Sequence, residues 1–233
     1  MTSNVDLHII AHIRTDFPTK FGIPRQSGIV DGLHAAIVFE PPYRRPEALR
    51  GLEEFSHLWL IWQFSEAILK EWSPTVRPPR LGGNTRVGVF ATRSPFRPNP
   101  IGLSSVRLEG IEQSGALGPI LHVSGADLMD GTPIYDIKPY LAFTDSHPDA
   151  LGGFADRTGG DRLHVTCSEE VRTVMDSAHF GALTAILRGD PRPSYQEDPE
   201  RIYGFPFAGY EVRFRVEGEV LTVLSIEKSE TGE

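Results

Sequence analysis

Residues 5–13 alternate strictly, with Val5, Leu7, Ile9, Ala11 and Ile13 on one side and Asp6, His8, Ile10 and His12 on the other. A period of two puts successive side chains on opposite faces of an extended chain, so this segment reads as a half-buried strand. Residues 57–64, HLWLIWQF, are almost continuously apolar, which suits a central strand covered on both faces. Further strands are expected at 87–92, 104–111 and 120–124. Asp31-Gly32 between the apolar residues of 29–39 is a hairpin signal, and residues 46–50 permit a short helix. Strands at this spacing, with no long helical pattern between them, favour an antiparallel sheet or barrel over a doubly wound α/β fold.

The pattern changes after the glycine-rich residues 152–160. Thr166 and Glu169 have the spacing of a capping box. Val171, Val174, Met175, Ala178, Ala182, Leu183, Ile186 and Leu187 then trace one apolar stripe, which Gly189 and Pro191 stop. Tyr210, Val212, Phe214 and Val216 alternate with charged residues, Gly218 marks a turn, and residues 220–226 return as a second strand. The expectation is a mainly β protein, α+β overall, with a β domain over residues 1–151 and a small αββ unit over 161–233.

A chain of 233 residues, 39% of them hydrophobic, buries a substantial core. Its net charge of -8 argues against nonspecific coating of nucleic acid, which needs many cationic contacts, but leaves room for a local basic face. The single cysteine, Cys167, excludes an intramolecular disulfide and a multi-cysteine zinc site. The sequence shows no leader pattern and no apolar run of membrane-spanning length, so a soluble cytoplasmic protein is expected.

Residues 76–102, VRPPRLGGNTRVGVFATRSPFRPNPIG, hold five arginines, five prolines and four glycines without one acidic side chain. Proline and glycine at that density make stiff loops. On them Arg77, Arg80, Arg86, Arg93 and Arg97 form a preorganised surface for phosphate or carboxylate. Residues 127–150 set Asp127, Asp130 and Asp136 around Gly131 and Pro133. These aspartates either serve local Asx turns or face a ligand's hydroxyls or positive charge. In residues 20–28, KFGIPRQSG, Pro24 stiffens a loop carrying Arg25 and Gln26 toward Gly28. In residues 190–195, DPRPSY, the helix stop adds a stacking-capable pair, Arg192 and Tyr195. Rossmann, P-loop, nucleophile-elbow and HExxH signatures are missing. The eight histidines show no helical ligand spacing, so no metal site is expected.

Taken in order, KFGIPRQSG, GLEEFSHLWLIWQF, the 76–102 segment, DLMDGTPIYDIKPYL and DPRPSY resemble the TrmO family, formerly called TsaA-like or YaeB-like. The resemblance spans roughly residues 9–195. It implies a single-sheet antiparallel β-barrel that binds S-adenosylmethionine, a C-terminal appendage, a homodimer, and methylation of N6-threonylcarbamoyladenosine beside the anticodon of tRNA. Carried over, the methyl-donor pocket comprises Arg25, Gln26, Ser27, Gly28, Phe64, Ser65, Arg93, Leu103, Asp127, Leu128, Met129, Asp130 and Gly131. Relatives can have a histidine where this chain has Ser65, and Ser27 replaces a familiar proline. Arg77, Arg80, Arg97, Arg192 and Tyr195 are the candidates for tRNA contact, and Asp130 is the one candidate general base. The alternative is a module that senses S-adenosylmethionine or a nucleotide without methyl transfer.

Overall fold

The computed structural model describes residues 6–68, 71–158, 163–192 and 198–229. Its first part is built from β1 (Ala11–Arg14), β2 (His34–Phe39), β3 (His57–Gln63), the two-residue β4 (Thr75–Val76) and β5 (Val87–Gly88), β6 (Ile101–Ser114), β7 (Gly118–Ser124) and β8 (Pro133–Pro139). Six of these pair antiparallel in the order β1-β2-β7-β6-β3-β8. Because β8 also pairs with β1, the sheet closes into a barrel. Alternate residues point inward, and Ala11, Ile13, Ile37, Leu58, Leu60, Leu121 and Ile134 are wholly buried there. β4 and β5 form a separate two-stranded arm.

Several segments differ from their sequence pattern. β1 starts only at Ala11, with Leu7 and Ile9 exposed and Val5 outside the described residues. Its partner β2 ends opposite it at Phe39, and the chain then enters a 3-10 turn at Pro41–Tyr43, where proline has no amide to extend a ladder. Residues 29–33 form a turn closed by Leu33 N–H to Val30 C=O rather than a hairpin. β3 is buried on the barrel side and only half-covered outside, where the Trp59 indole N–H donates to Asp145 at 2.9 Å. Of residues 87–92 only Val87–Gly88 is extended. Val89–Ala91 curls into a 3-10 turn in which the Thr92 hydroxyl caps the Val89 carbonyl at 2.8 Å.

The remainder comprises α1 (Ala142–Asp145), α2 (Phe154–Thr158), β9 (His164–Thr166), α3 (Glu169–Arg172), α4 (Ser177–Arg188), β10 (Tyr203–Phe207), β11 (Tyr210–Glu217) and β12 (Val220–Lys228). Where one helix and two strands were expected, the chain forms a sheet of order β10-β11-β12-β9. The apolar stripe is broken into two helices. Ser168 caps α3 by accepting the Val171 amide, and Asp176 caps α4 by accepting those of Ala178 and His179. Thr166 lies in β9 and caps neither.

The core of this second sheet contains Phe205, Phe207, Val212, Phe214, Leu183 and Leu187, and it also takes in Phe17, Val30 and Leu33 from the connection between β1 and β2. That connection, which carries the KFGIPRQSG loop, is therefore packed on the C-terminal sheet. Gly22 shows how tightly: a Cβ there would lie 2.4 Å from the Phe205 ring, at a φ of +94°. Among the described residues no helix is long and apolar enough to cross a membrane.

Candidate functional site

β6 pairs with β3 from Ile101↔Gln63 to Arg107↔His57, but meets β7 only from Arg107↔Ser124 onward. Among the described residues, the second edge of 101–105 consequently has no strand partner. Ser105 sends its amide across this edge to the Ser27 hydroxyl at 3.1 Å. Backbone direction alternates residue by residue in an antiparallel ladder, so Leu103, opposite Ile61, turns its N–H and C=O to the same open edge. Its side chain is 54% exposed beside Ile101. The edge thus offers one peptide donor and one peptide acceptor over an apolar lip.

Beneath it runs a chain of hydrogen bonds. The Trp62 indole N–H donates to the Ser104 hydroxyl at 3.0 Å, which donates to Asp127 Oδ1 at 2.5 Å. Burial pushes the Asp127 carboxyl above its ordinary value, against the opposing pull of the Ser104 hydroxyl, backbone amides including that of Ser27, and the Arg93 charge. Arg93 Nη1 donates to Gln26 Oε1, and Gln26 Nε2 to the Arg25 carbonyl. Gly28 N–H reaches the Gly125 carbonyl at 2.9 Å. Gln26, Ser27, Arg93, Ser104 and Asp127 are in this way drawn together from four separate stretches of chain. Phe64 closes one end, its ring 4.3 Å from that of Trp62 and its amide on the Pro100 carbonyl, with the Ser65 amide on Gln63.

The rest of the 127–131 run serves the barrel. Leu128 is a core residue whose carbonyl accepts from Thr15, and the Met129 carbonyl accepts from Thr132. The Asp130 carboxylate takes the Thr15 amide at 3.1 Å and the Arg14 guanidinium at 3.5 Å, while Gly131 N–H bonds Ile13. Asp130 is thereby committed to holding the end of β1, and Asp127 is the carboxylate that reaches the Ser104 hydroxyl beneath the open edge. Arg97 braces its own loop through the Thr92 carbonyl at 3.0 Å. Arg192 grips Asp190 with two hydrogen bonds of 2.9 Å, and Arg25 reaches the Asp190 and Arg192 carbonyls. Arg77 is exposed. The Arg80 side chain and Tyr195 lie outside what the structure describes.

Trp62 and Gly102, which lie inside two of the motifs without being named as site residues, and Ser104 and Ser105, which lie outside them, join the candidate site only in the structure. Their signal is parity: Gly102 and Ser104 sit at inward positions of β6, where a barrel strand otherwise carries Val106-like side chains. A small and a polar residue in succession at core positions mark a place where something else must fit.

Residues 12–146 match the family model of the tRNA-methyltransferase O N-terminal domain, and residues 161–229 that of the TrmO C-terminal domain. The chain belongs to the tRNA-methyltransferase O family. It is 40% identical to the tRNA (adenine(37)-N6)-methyltransferase of Escherichia coli over 97% of this chain and 99% of that one. It is 47% identical to the enzyme of the same name from Eikenella corrodens over 70% of this chain and 92% of that one. A crystal structure of TrmO from Pseudomonas aeruginosa superposes with a TM-score of 0.79 at 33% identity, covering 98% of this chain and 99% of that one. The resemblance read from the motifs and the family found by comparison are the same.

Proposed function

We propose that the protein is a tRNA methyltransferase that transfers a methyl group from S-adenosylmethionine to N6 of adenosine 37, acting on N6-threonylcarbamoyladenosine in the anticodon loop. The relatives named for methylation of adenine 37 support the reaction and the position. The observation that carries the site is the unpaired edge of β6 at Leu103, set against Gln26, Ser27, Arg93 and Asp127. A peptide N–H and C=O side by side match the donor and acceptor of an adenine edge, and the Arg93 guanidinium matches a carboxylate. The residues present therefore fit the donor molecule.

When bound, S-adenosylmethionine supplies a methyl group on a sulfonium, already activated for displacement. The chain's task is alignment, worth orders of magnitude in rate when the reacting atoms are held in line. Asp127 is a positioning residue, because its carboxylate is taken by the Ser104 hydroxyl and backbone amides including that of Ser27. The acceptor nitrogen of a threonylcarbamoyl group carries one proton and is conjugated to a carbonyl; methylation releases that proton to solvent and leaves the donor as a neutral thioether, so the reaction gains from cations near the oxygen or near the threonine carboxylate. Arg86 stands on the arm for such contacts, with one guanidinium nitrogen already on the Thr75 hydroxyl. The base lies in a single-stranded loop, so little pairing energy is lost in presenting it. The family resemblance extends the proposal to a homodimer acting in the cytoplasm, with residues 1–151 as the donor-binding domain and 161–233 as the C-terminal unit.

Calorimetry with S-adenosylmethionine tests the site. Arg93→Ala and Gln26→Ala are expected to weaken binding about tenfold or more; wild-type affinity in both would remove the donor from this edge. Binding of tRNA is expected to weaken with salt along a shallow slope, reflecting few phosphate contacts. Affinity unchanged from low to high salt would contradict docking through arginines. A donor-sensing module binds equally well, and only single-turnover transfer to tRNA separates it from an enzyme.

A further inference from the structure

The β4–β5 arm carries two aromatic side chains that nothing in the donor site uses. Trp72 is 50% exposed and Phe90 is 72% exposed, with ring centroids 6.1 Å apart and planes 32° from parallel. Their backbone is fixed. Val89, beside Phe90, is buried, its amide bonds the Pro74 carbonyl at 3.0 Å, and Arg86 Nη1 donates to the Thr75 hydroxyl at 2.8 Å across the arm. Two such rings held in water on a braced arm offer flat apolar faces at little ordering cost to whatever docks there.

The surrounding charge selects the occupant. Between Glu71 and Glu109 the sequence has no acidic residue and six arginines, in a chain of net charge -8. Arg77 is exposed on the arm and, among the described residues, makes no ion pair or hydrogen bond. Phe90 lies three residues before Arg93 in the chain. Aromatic faces among cations are the arrangement that holds unpaired bases, by stacking on the ring while guanidinium groups take the phosphates.

We propose that Trp72 and Phe90 form a stacking platform for an unpaired base of a single-stranded RNA loop, with Arg77 on the adjoining phosphate. This rests on the reading of the chain as a tRNA methyltransferase and names the surface by which the RNA is held. The test compares a synthetic RNA hairpin with an open loop and a fully paired duplex of the same length, against the wild type, the Trp72→Ala/Phe90→Ala double variant and Trp72→Phe. The double variant should lose roughly ten- to a hundredfold in hairpin affinity, with duplex binding and S-adenosylmethionine affinity unchanged. Tryptophan fluorescence should be quenched when hairpin binds the wild type, and Trp72→Phe should bind hairpin while losing most of that quench. Wild-type hairpin affinity in the double variant overturns the platform, as does an equal loss for hairpin and duplex. Loss of self-association with RNA affinity intact would assign the face to a second copy of the chain instead. A wild type that binds hairpin through Trp72 but never methylates tRNA leaves the platform standing and sinks the enzymatic reading. Methylation with unchanged KM in the double variant does the reverse.

Discussion

At residue 102 the space for a single methyl group decides the geometry beneath the proposed donor site. A Cβ on Gly102 would fall 2.2 to 2.6 Å from the Trp62 indole, and Trp62 is the first donor in the chain to Ser104 and Asp127. Gly102→Ala is expected to cost about 1–3 kcal/mol and to weaken S-adenosylmethionine binding, read by thermal melting and calorimetry. A stable variant with normal donor affinity would show that this chain of bonds does not shape the site. Asp127 gives a second handle. Asp127→Ala strands the Ser104 hydroxyl and the Ser27 amide and should cost about 1–3 kcal/mol, whereas Asp127→Asn keeps an acceptor. Burial raises the Asp127 carboxyl above its ordinary 3.8, so its contribution to stability is fullest below that value and is lost as pH climbs through the raised one. Asp127→Asn should therefore remove part of the fall in stability above pH 3.8, and an unaltered pH profile would contradict a buried, desolvated carboxylate. At this scale the residues drawn together at the edge were partly legible in the sequence. Gln26, Ser27, Arg93 and Asp127 stood in motifs, but a hydroxyl such as Ser104 becomes a partner only when a strand turns it inward toward a residue distant in the chain.

Among the elements, α4 is held by its first turn. Asp176 accepts the Ala178 and His179 amides at 3.0 and 3.1 Å and the His179 ring at 2.5 Å. The His179 ring and amide hold the Asp176 carboxyl below its ordinary value. That stabilisation is present above pH 3.8 and disappears as pH falls through the lowered value. Asp176→Ala should lower the melting temperature at neutral pH, with the gap to wild type closing in acid; a gap that persists at the lowest pH would mean the cap acts without its charge. The same cap explains why the apolar stripe from Val171 to Leu187 was misread as one helix. Stripe spacing survives a short break, and Ser168 and Asp176 are two start signals where the pattern asked for one. β3 and β11 were legible because alternation and aromatic content persist over whole strands. β8 was hidden because Pro133 and Pro139 bound a segment whose buried member is a single isoleucine, Ile134.

In the molecule as a whole, the C-terminal sheet supports the loop that carries Gln26 and Ser27 of the proposed donor site. The connection from Phe17 to Leu33 packs in the C-terminal core, and the Phe21 ring meets Phe205 edge-on at 5.9 Å. Asp16 C=O takes the Ala208 amide at 3.0 Å. Gln26 and Ser27 hang from this segment, so Phe21→Ala should leave the barrel folded yet weaken S-adenosylmethionine binding about three- to tenfold by loosening the loop. Calorimetry showing wild-type affinity would make the C-terminal sheet a bystander to donor binding. This dependence was invisible in the sequence, which marked a boundary near residues 152–160 and no traffic across it. The central claim is the reaction itself. Its most direct test is nucleoside mass spectrometry of tRNA incubated with the protein and labelled S-adenosylmethionine, with and without prior threonylcarbamoyl modification. The account predicts a labelled N6-methylated threonylcarbamoyladenosine that forms only on the modified tRNA. Donor binding with no labelled nucleoside from either tRNA would contradict it.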